Sequence, residues 1–257
     1  MDYEYAAGMV DADGCFGIHP KKRNDGTYSI RIYCKIDQKL KSYFLQEMSD
    51  EYSVTLLEDS RGQSRVTLCG NNAEHFAKRI RPHLIIKGPI VDYVLSLRAS
   101  IVSKAELSAI RKRLKDLRDD NTIQNYNLTD RYFAGFIDGD GWLTTGFSRK
   151  TGYVGFKIGV LSHKSQSQAV TLIQQKYGGF FSYKNNGTNI TWSRAITSEG
   201  INDFIPMSKH LRQKKERFDF IHSVVTEGAN LKCNGATGES NAVLHSYFKS
   251  INCGQDT

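Results

Sequence analysis

Residues 6–14 read A-A-G-M-V-D-A-D-G, and residues 133–141 read F-A-G-F-I-D-G-D-G. Both carry Ala-Gly, an apolar pair, Asp, a small residue and Asp-Gly in the same order. Asp13 and Asp140 are the matching acids, 127 residues apart (140 − 13). A repeat fixes architecture more firmly than local propensity does. The spacing predicts two half-chains of similar size, each opening with the same helix.

The apolar spacing supports that helix. Tyr5, Met9 and Val10, and again Tyr132, Phe136 and Ile137, recur at helical intervals and would face a core. Gly8 and Ala12, and Gly135 and Gly139, form a stripe with almost no side chain, which lets two helix backbones approach closely. The two copies are therefore expected to pack on each other. Gly14 and Gly141 are expected to end their helices in a left-handed conformation. That leaves Asp13 and Asp140 in last turns, where the helix dipole disfavours negative charge and a cation would be welcome. A single Asp-x-Asp-Gly reads more simply as a solvated turn, but its recurrence on a second small-residue helix argues against that. A calcium loop with Gly at its sixth position would end at Pro20 or Phe147, without the closing Glu such a loop needs.

Beyond the first motif lies a basic turn, Lys21-Lys22-Arg23-Asn24-Asp25-Gly26, whose Asp-Gly favours a hairpin. Residues 28–37 alternate, with Tyr28, Ile30, Ile32, Cys34 and Ile36 facing a core and Ser29, Arg31, Tyr33, Lys35 and Asp37 facing away. The outer set reads as a solvated face or as a nucleic-acid face. A twisted ribbon fits a major groove, where Arg and Lys meet guanine edges. Arg31, Tyr33 and Lys35, with Lys22 and Arg23, are thus candidate DNA contacts. A helix is expected over residues 39–52 with Leu40, Phe44, Leu45 and Met48 inward, then strands near 54–57 and 65–69 around Ser60-Arg61-Gly62. A helix starting near Asn71 would bury Phe76, Ala77 and Ile80. Pro89 suits the first turn of one long helix carrying Val91, Val94, Leu95, Ala99 and Val102 and ending at Arg111-Lys112-Arg113.

Residues 115–130 are polar and read as a linker between halves 1–114 and 131–257. The second half repeats the order: strands at 142–148 and 153–161, with Lys157 outward, a helix, strands at 180–184 and 189–195, and a helix at 198–205. Lys214 follows Lys87 by the same 127 residues (214 − 87), so the period holds across the half. The segment from Gly228 is rich in Gly and Asn before a weakly helical 242–251, and no role is assigned to it.

A net charge of +8 and a pI near 9.1 fit a polyanionic partner, because bound Lys and Arg displace condensed counterions. Five widely spaced cysteines with no Cys-x-x-Cys give no zinc pattern and read as reduced thiols of an intracellular protein. No apolar run reaches membrane-span length, and Met1-Asp2-Tyr3-Glu4 is acidic where a secretory or transit signal would be basic. No membrane partner is expected.

The two nonapeptides resemble the paired signature of the LAGLIDADG homing endonucleases, in the form with both motifs on one chain. Ala6 departs from it, standing where Leu is usual, at a packing position. The resemblance implies an α/β (α+β) fold of two pseudo-symmetric halves, each a curved antiparallel sheet backed by helices, joined through the motif helices. It implies a monomeric, site-specific endonuclease that hydrolyses double-stranded DNA at a long asymmetric target with Mg2+. Mn2+ would substitute, and Ca2+ would bind without cleavage.

By the same resemblance, Asp13 and Asp140 bind catalytic metal and serve one strand each, while Ala12 and Gly139 offer backbone carbonyls. Lys87 and Lys214 match the family's lysine at the turn into the last helix of each half, near the scissile phosphate. Asp37, or Gln38 if the register slips, would lie in the first pocket and Ser162 in the second, with Lys41 and Gln166 a turn further on. Asp11 and Asp138, two residues earlier, point elsewhere on the helix and are expected to be structural or to support the metal-binding acids from behind. One alternative is the same fold used without cutting, as an RNA-splicing maturase on intron RNA or as a DNA-binding regulator. Retention of both acids and both lysines weighs against it. Another is an acid pair kept only for packing, which predicts no metal binding. The usual location of such genes implies a mitochondrion, a chloroplast or a cytoplasm.

Overall fold

The computed structural model describes residues 1–39, 42–60, 62–119, 127–148, 153–164, 167–184, 187–227, 243, 246–248 and 250. The chain starts with α1 (Tyr3–Asp13), whose first turn is capped by the Asp2 carboxylate accepting from the Tyr5 amide. Strands β1 (Gly14–Lys22) and β2 (Tyr28–Lys39) follow, then α2 (Tyr43–Tyr52), β3 (Leu57–Glu58) and β4 (Gln63–Cys69). Helix α3 (Asn71–Ile80), α4 (Gly88–Ser96), β5 (Ile101–Val102) and α5 (Lys104–Arg118) complete the first half. The second half runs α6 (Asp130–Asp140), β6 (Gly141–Ser148), β7 (Tyr153–His163), α7 (Ser167–Tyr177), β8 (Phe180–Lys184), β9 (Asn189–Ile196), α8 (Ile205–Ser208) and α9 (Lys215–Glu227).

The two sheets share a topology. One has the order β1-β2-β4-β3 with β5 also on β2, the other β6-β7-β9-β8, and the strands of both pair antiparallel. Gly14 lies opposite Ile36 as Gly141 lies opposite Val160. Counting two residues on, Gln38 therefore corresponds to Ser162. The inner face of β2 buries Ile30, Ile32, Cys34 and Ile36, as its alternation predicts, against Phe44, Leu45 and Met48 of α2 and Phe76, Ala77 and Ile80 of α3. The second half buries Ile158, Val160 and Trp192 against Ala169, Val170 and Ile173 of α7. Each large apolar side chain so placed contributes about 1.5–3 kcal/mol.

Helices α1 and α6 pack along the small-residue stripe. A Cβ on Gly8 would lie 2.0 Å from the Tyr132 carbonyl oxygen, and one on Gly135 would lie 2.1 Å from that of Tyr5. Ala6 is fully buried in this region.

Several expectations are corrected. Gly14 and Gly141 are extended, not left-handed, with φ of −79° and −82°, because each strand starts directly at the helix end. Glycine is required there for space: a Cβ would come within 2.8 Å of the Val10 carbonyl oxygen or 2.6 Å of that of Ile137. The helix expected from residue 39 begins at Tyr43, with Ser42 as its cap and Lys39 still in β2. The strand expected near 54–57 is Leu57–Glu58.

The single long helix after Pro89 is two helices. Helix α4 stops at Ser96, Ala99 adopts φ 54°, and Val102 pairs with Tyr28 on β2. A capping box of Ser103 and Glu106 then restarts the helix, which runs to Arg118. The helix expected at 198–205 divides into a 3-10 turn, Gly200–Phe204, and α8. Lys41, Gln166, residues 120–126 of the expected linker and most of the segment from Gly228 lie outside the described residues. Within that segment Phe248 is buried, its ring 5.9 Å from that of Phe156 and 6.0 Å from that of Phe220.

A candidate active site between the motif helices

Asp13 and Asp140 are the last residues of α1 and α6, so pairing of those helices brings the acids to one place. A Cβ on Gly139 would stand 3.3 Å from an Asp13 carboxylate oxygen. Asp13 borders a cavity of about 340 Å³ lined also by Asp37, Gln38, Gly139, Trp142, Gln213 and Lys214 among others. Burial raises the Asp13 carboxyl above the usual range, against the Gln38 hydrogen bond and the charges of Lys87 and Lys214. Burial, and then the charge of Asp13, push Asp140 up to about 6. Two desolvated like charges side by side make each other costly, and a cation between them removes that cost.

Asp11 and Asp138, two residues earlier, are buried and do different work. Asp11 accepts from the amides of Ile85, Ile86 and Lys87 at 2.8, 2.9 and 2.8 Å. Asp138 accepts from those of Arg212, Gln213 and Lys214 at 2.7, 3.1 and 2.9 Å. They bind the turns leading into α4 and α9 to the motif helices. Each also takes a hydroxyl from the opposite half, Tyr132 to Asp11 and Tyr5 to Asp138. The Arg212 guanidinium covers the Tyr5 ring at 4.3 Å and pairs with Glu47, adding a further cross-half contact.

The bound turns deliver the two lysines. Lys87 Nζ donates to the carbonyls of Val10, Asp11 and Ala12 at 2.6, 2.8 and 3.4 Å. Lys214 Nζ donates to those of Ile137 and Asp138 at 2.8 and 2.7 Å. A cation at a helix C-terminus satisfies carbonyls that have no partner within the helix and meets the negative end of the dipole. Burial lowers both lysines from the ordinary value, while nearby carboxylates oppose the shift. Their charge acts on both acids, and Lys214 reaches the cavity wall.

Of the two residues weighed for the first pocket, Gln38 touches the acid: its Nε2 donates 2.9 Å to Asp13. Asp37 lines the same cavity but pairs with Lys35 at 2.7 Å and with Arg65. These two bonds hold the Asp37 carboxyl below the usual range despite its partial burial. Ser162 is buried at the corresponding place in the second sheet.

The candidate contact residues lie on the outer faces. Arg31, Lys22, Arg23 and Lys157 are exposed, and Lys35 is half-buried. Arg23 stands 3.5 Å from Asp25. The Tyr33 ring lies over Gly17 and stacks on His19 at 4.3 Å. The sequence reading missed Arg65, His19, Trp142 and Gln213. The first three follow from strand alternation once registers are known, and Trp142 packs across Gly159, where a Cβ would lie 2.3 Å from its ring. Gln213 reaches into the other half, and no local pattern announces that.

Among the described residues no group of three or more His, Cys, Asp or Glu forms a self-contained metal cage. Magnesium suits this donor set nonetheless, because it binds through one or two carboxylates together with substrate phosphates. The mutual repulsion of Asp13 and Asp140 supplies the electrostatic reason for an ion there.

Comparison with protein-family models and with curated proteins finds no match. Solved structures match over nearly the whole chain. The LAGLIDADG homing endonuclease I-GzeII in complex with DNA target is 19% identical, with a TM-score of 0.65, over 95% of this chain and 97% of that one. The meganuclease I-SmaMI bound to uncleaveable DNA is 14% identical, with a TM-score of 0.68, over 98% of each chain. The LAGLIDADG meganuclease I-AabMI bound to uncleaved DNA is 14% identical, with a TM-score of 0.67, over 97% and 98%. With both motifs in register and coverage this complete, the chain has the two-half fold of the single-chain LAGLIDADG homing endonucleases.

Proposed function

We propose that this chain is a site-specific, divalent-metal-dependent endonuclease for double-stranded DNA, acting as a monomer. The observation that carries the reading is the meeting of Asp13 and Asp140 at the ends of the two packed motif helices, within reach of the charges of Lys87 and Lys214. The basic outer faces of the two sheets, with Arg31, Lys35 and Lys157, would follow the phosphate backbone and the major groove on either side. The similar solved structures include chains bound to DNA, which agrees with that partner.

Hydrolysis of a phosphodiester needs a positioned water, stabilisation of charge on the phosphorus and help for the departing oxygen. Mg2+ held by Asp13 and Asp140, with the carbonyls of Ala12 and Gly139, would supply stabilisation for both attacking and leaving oxygens. The protein's own part is to hold Asp13 in place and to set the charges of Lys87 and Lys214 against the burial that disfavours ionisation of both acids. Gln38 orients Asp13, the lysines favour its charged form, and the Asp11 and Asp138 clasps keep the lysines in place. The buried ammonium groups also favour negative charge on a phosphate seated over the acids.

The test is cleavage of a plasmid library carrying randomised inserts, with Mg2+ and separately with Ca2+, followed by sequencing of new ends. The expected result is discrete cuts at one long site with Mg2+, retained with Mn2+ and absent with Ca2+. An Asp13→Asn, Asp140→Asn double variant should bind and fold yet not cut, and cutting by it overturns the reading. Salt-sensitive binding without cuts by the unaltered chain would transfer the site to a non-cleaving role, with intron RNA as the next ligand.

A further inference from the structure

We propose that Gln213 is a positioning residue that reaches from the second half to fix the amide of Gln38 against Asp13, and that it sets the ratio at which the two DNA strands are cut. The proposal rests on the nuclease reading above. A carboxylate only accepts hydrogen bonds, so Gln38 must present Nε2 to Asp13, as it does at 2.9 Å. Its Oε1 then faces the other way, and there the Gln213 Nε2 donates to it. The same nitrogen donates at 2.7 Å to Ser42 Oγ, the cap of α2. Gln38 and Ser42 are 6% and 3% exposed, so turning the Gln38 amide round would leave buried polar atoms mismatched. The backbone of Gln213 is itself fixed, its amide donating 3.1 Å to Asp138.

Among the described residues, the second half does not repeat this relay. The 127-residue period puts Ile86 at the counterpart of Gln213, and the strand register puts Ser162 at the counterpart of Gln38. An isoleucine has no amide to extend, and a serine hydroxyl ends one atom beyond Cβ. Among the described residues, Asp13 is therefore oriented by a relay that has no counterpart at Asp140.

The polarity of the relay gives an unusual order of effects. Gln213→Leu removes the donor and leaves the Gln38 amide free to turn. Gln213→Glu is closer in shape but does more harm, because its carboxylate draws Gln38 Nε2 to itself and turns Oε1 onto Asp13. The experiment is strand-resolved nicking of a supercoiled plasmid bearing a site recovered from the library screen. Gln213→Leu should change the ratio of the two strand rates by up to roughly tenfold, the size of a lost hydrogen bond between neutral groups. Gln213→Glu should change it further. Partial misfolding lowers the active fraction and slows both strands alike, so equal slowing, or Gln213→Glu behaving like the unaltered chain, overturns the proposal.

A second readout does not need cleavage. The side-chain amide NMR signal of Gln38 should shift in both Gln213→Leu and Asp13→Asn, and a signal unmoved by Gln213→Leu overturns the positioning role. If the unaltered chain cuts neither strand while that signal responds, the nuclease reading fails and the positioning of Asp13 stands.

Discussion

The hydroxyl of Tyr5 on the first motif helix donates 2.8 Å to Asp138 on the second, and Tyr132 returns the same bond to Asp11 at 2.8 Å. Each acid also gathers three backbone amides of its own half, so every clasp joins both halves. Tyr5→Phe removes one hydrogen bond to a buried carboxylate and should cost about 1.5–3 kcal/mol. Asp138→Ala should cost more, since it strands three backbone donors as well. Urea denaturation followed by two probes checks both variants. They should shift a single common transition, and two separated transitions would contradict the coupling of the halves.

Gly8→Ala should be among the most damaging single substitutions in the chain. The added methyl would sit 2.0 Å from a carbonyl oxygen of α6, and backbone cannot rotate aside as a side chain can. Overpacking at a yielding site costs about 1–3 kcal/mol, and this site does not yield. Gly146→Ala, with nothing within 4 Å of the new Cβ, is the control. Soluble yield and melting temperature of the two variants should differ sharply.

Ser103→Ala should destabilise by about 1 kcal/mol, because it breaks the capping box that starts α5. If α4 and α5 were one continuous helix, a serine at its middle would be replaced by alanine with a gain instead. A melting curve therefore separates the two descriptions by sign.

That case shows what a single sequence carries and what it does not. The apolar period across residues 89–113 is compatible with one helix, and Ser103-x-x-Glu106 was the local signal that it is two. The pairing of Val102 with Tyr28, which occupies the gap, is a contact between distant segments that no window reveals. The motif helices and the strand order were legible because repetition at 127 residues tests each element twice. The pairing of Asp13 and Asp140 was legible through the repeat, and the roles expected of them came from the resemblance. The clasps of Tyr5 and Tyr132 were not: both tyrosines fit an apolar stripe, and only packing of the two helices shows their hydroxyls crossing it. Gln38 became distinguishable from Asp37 once Gly14 was seen opposite Ile36.

The charge on Asp140 should make both stability and cation binding depend on pH in a defined direction. Its ordinary value is 3.8, and burial, followed by the charge of Asp13, pushes it up to about 6 in the folded chain. The folded state therefore holds this proton more tightly than the unfolded state. The group's contribution to stability is fully present below the ordinary value and is lost as pH rises through about 6. Asp140→Asn removes the charge and should stabilise the fold by about 2 kcal/mol near pH 7.5, a figure discounted for partial exposure, with no gain near pH 4. A divalent ion competes for the same carboxylate, so Mg2+ or Ca2+ should raise the melting temperature of the unaltered chain above about pH 6 and lose that effect below it. Thermal melts of both forms at the two pH values, with and without the ion, check every part. A melting temperature of the unaltered chain that responds to the ion equally at both pH values would remove Asp140 from the ion's ligands.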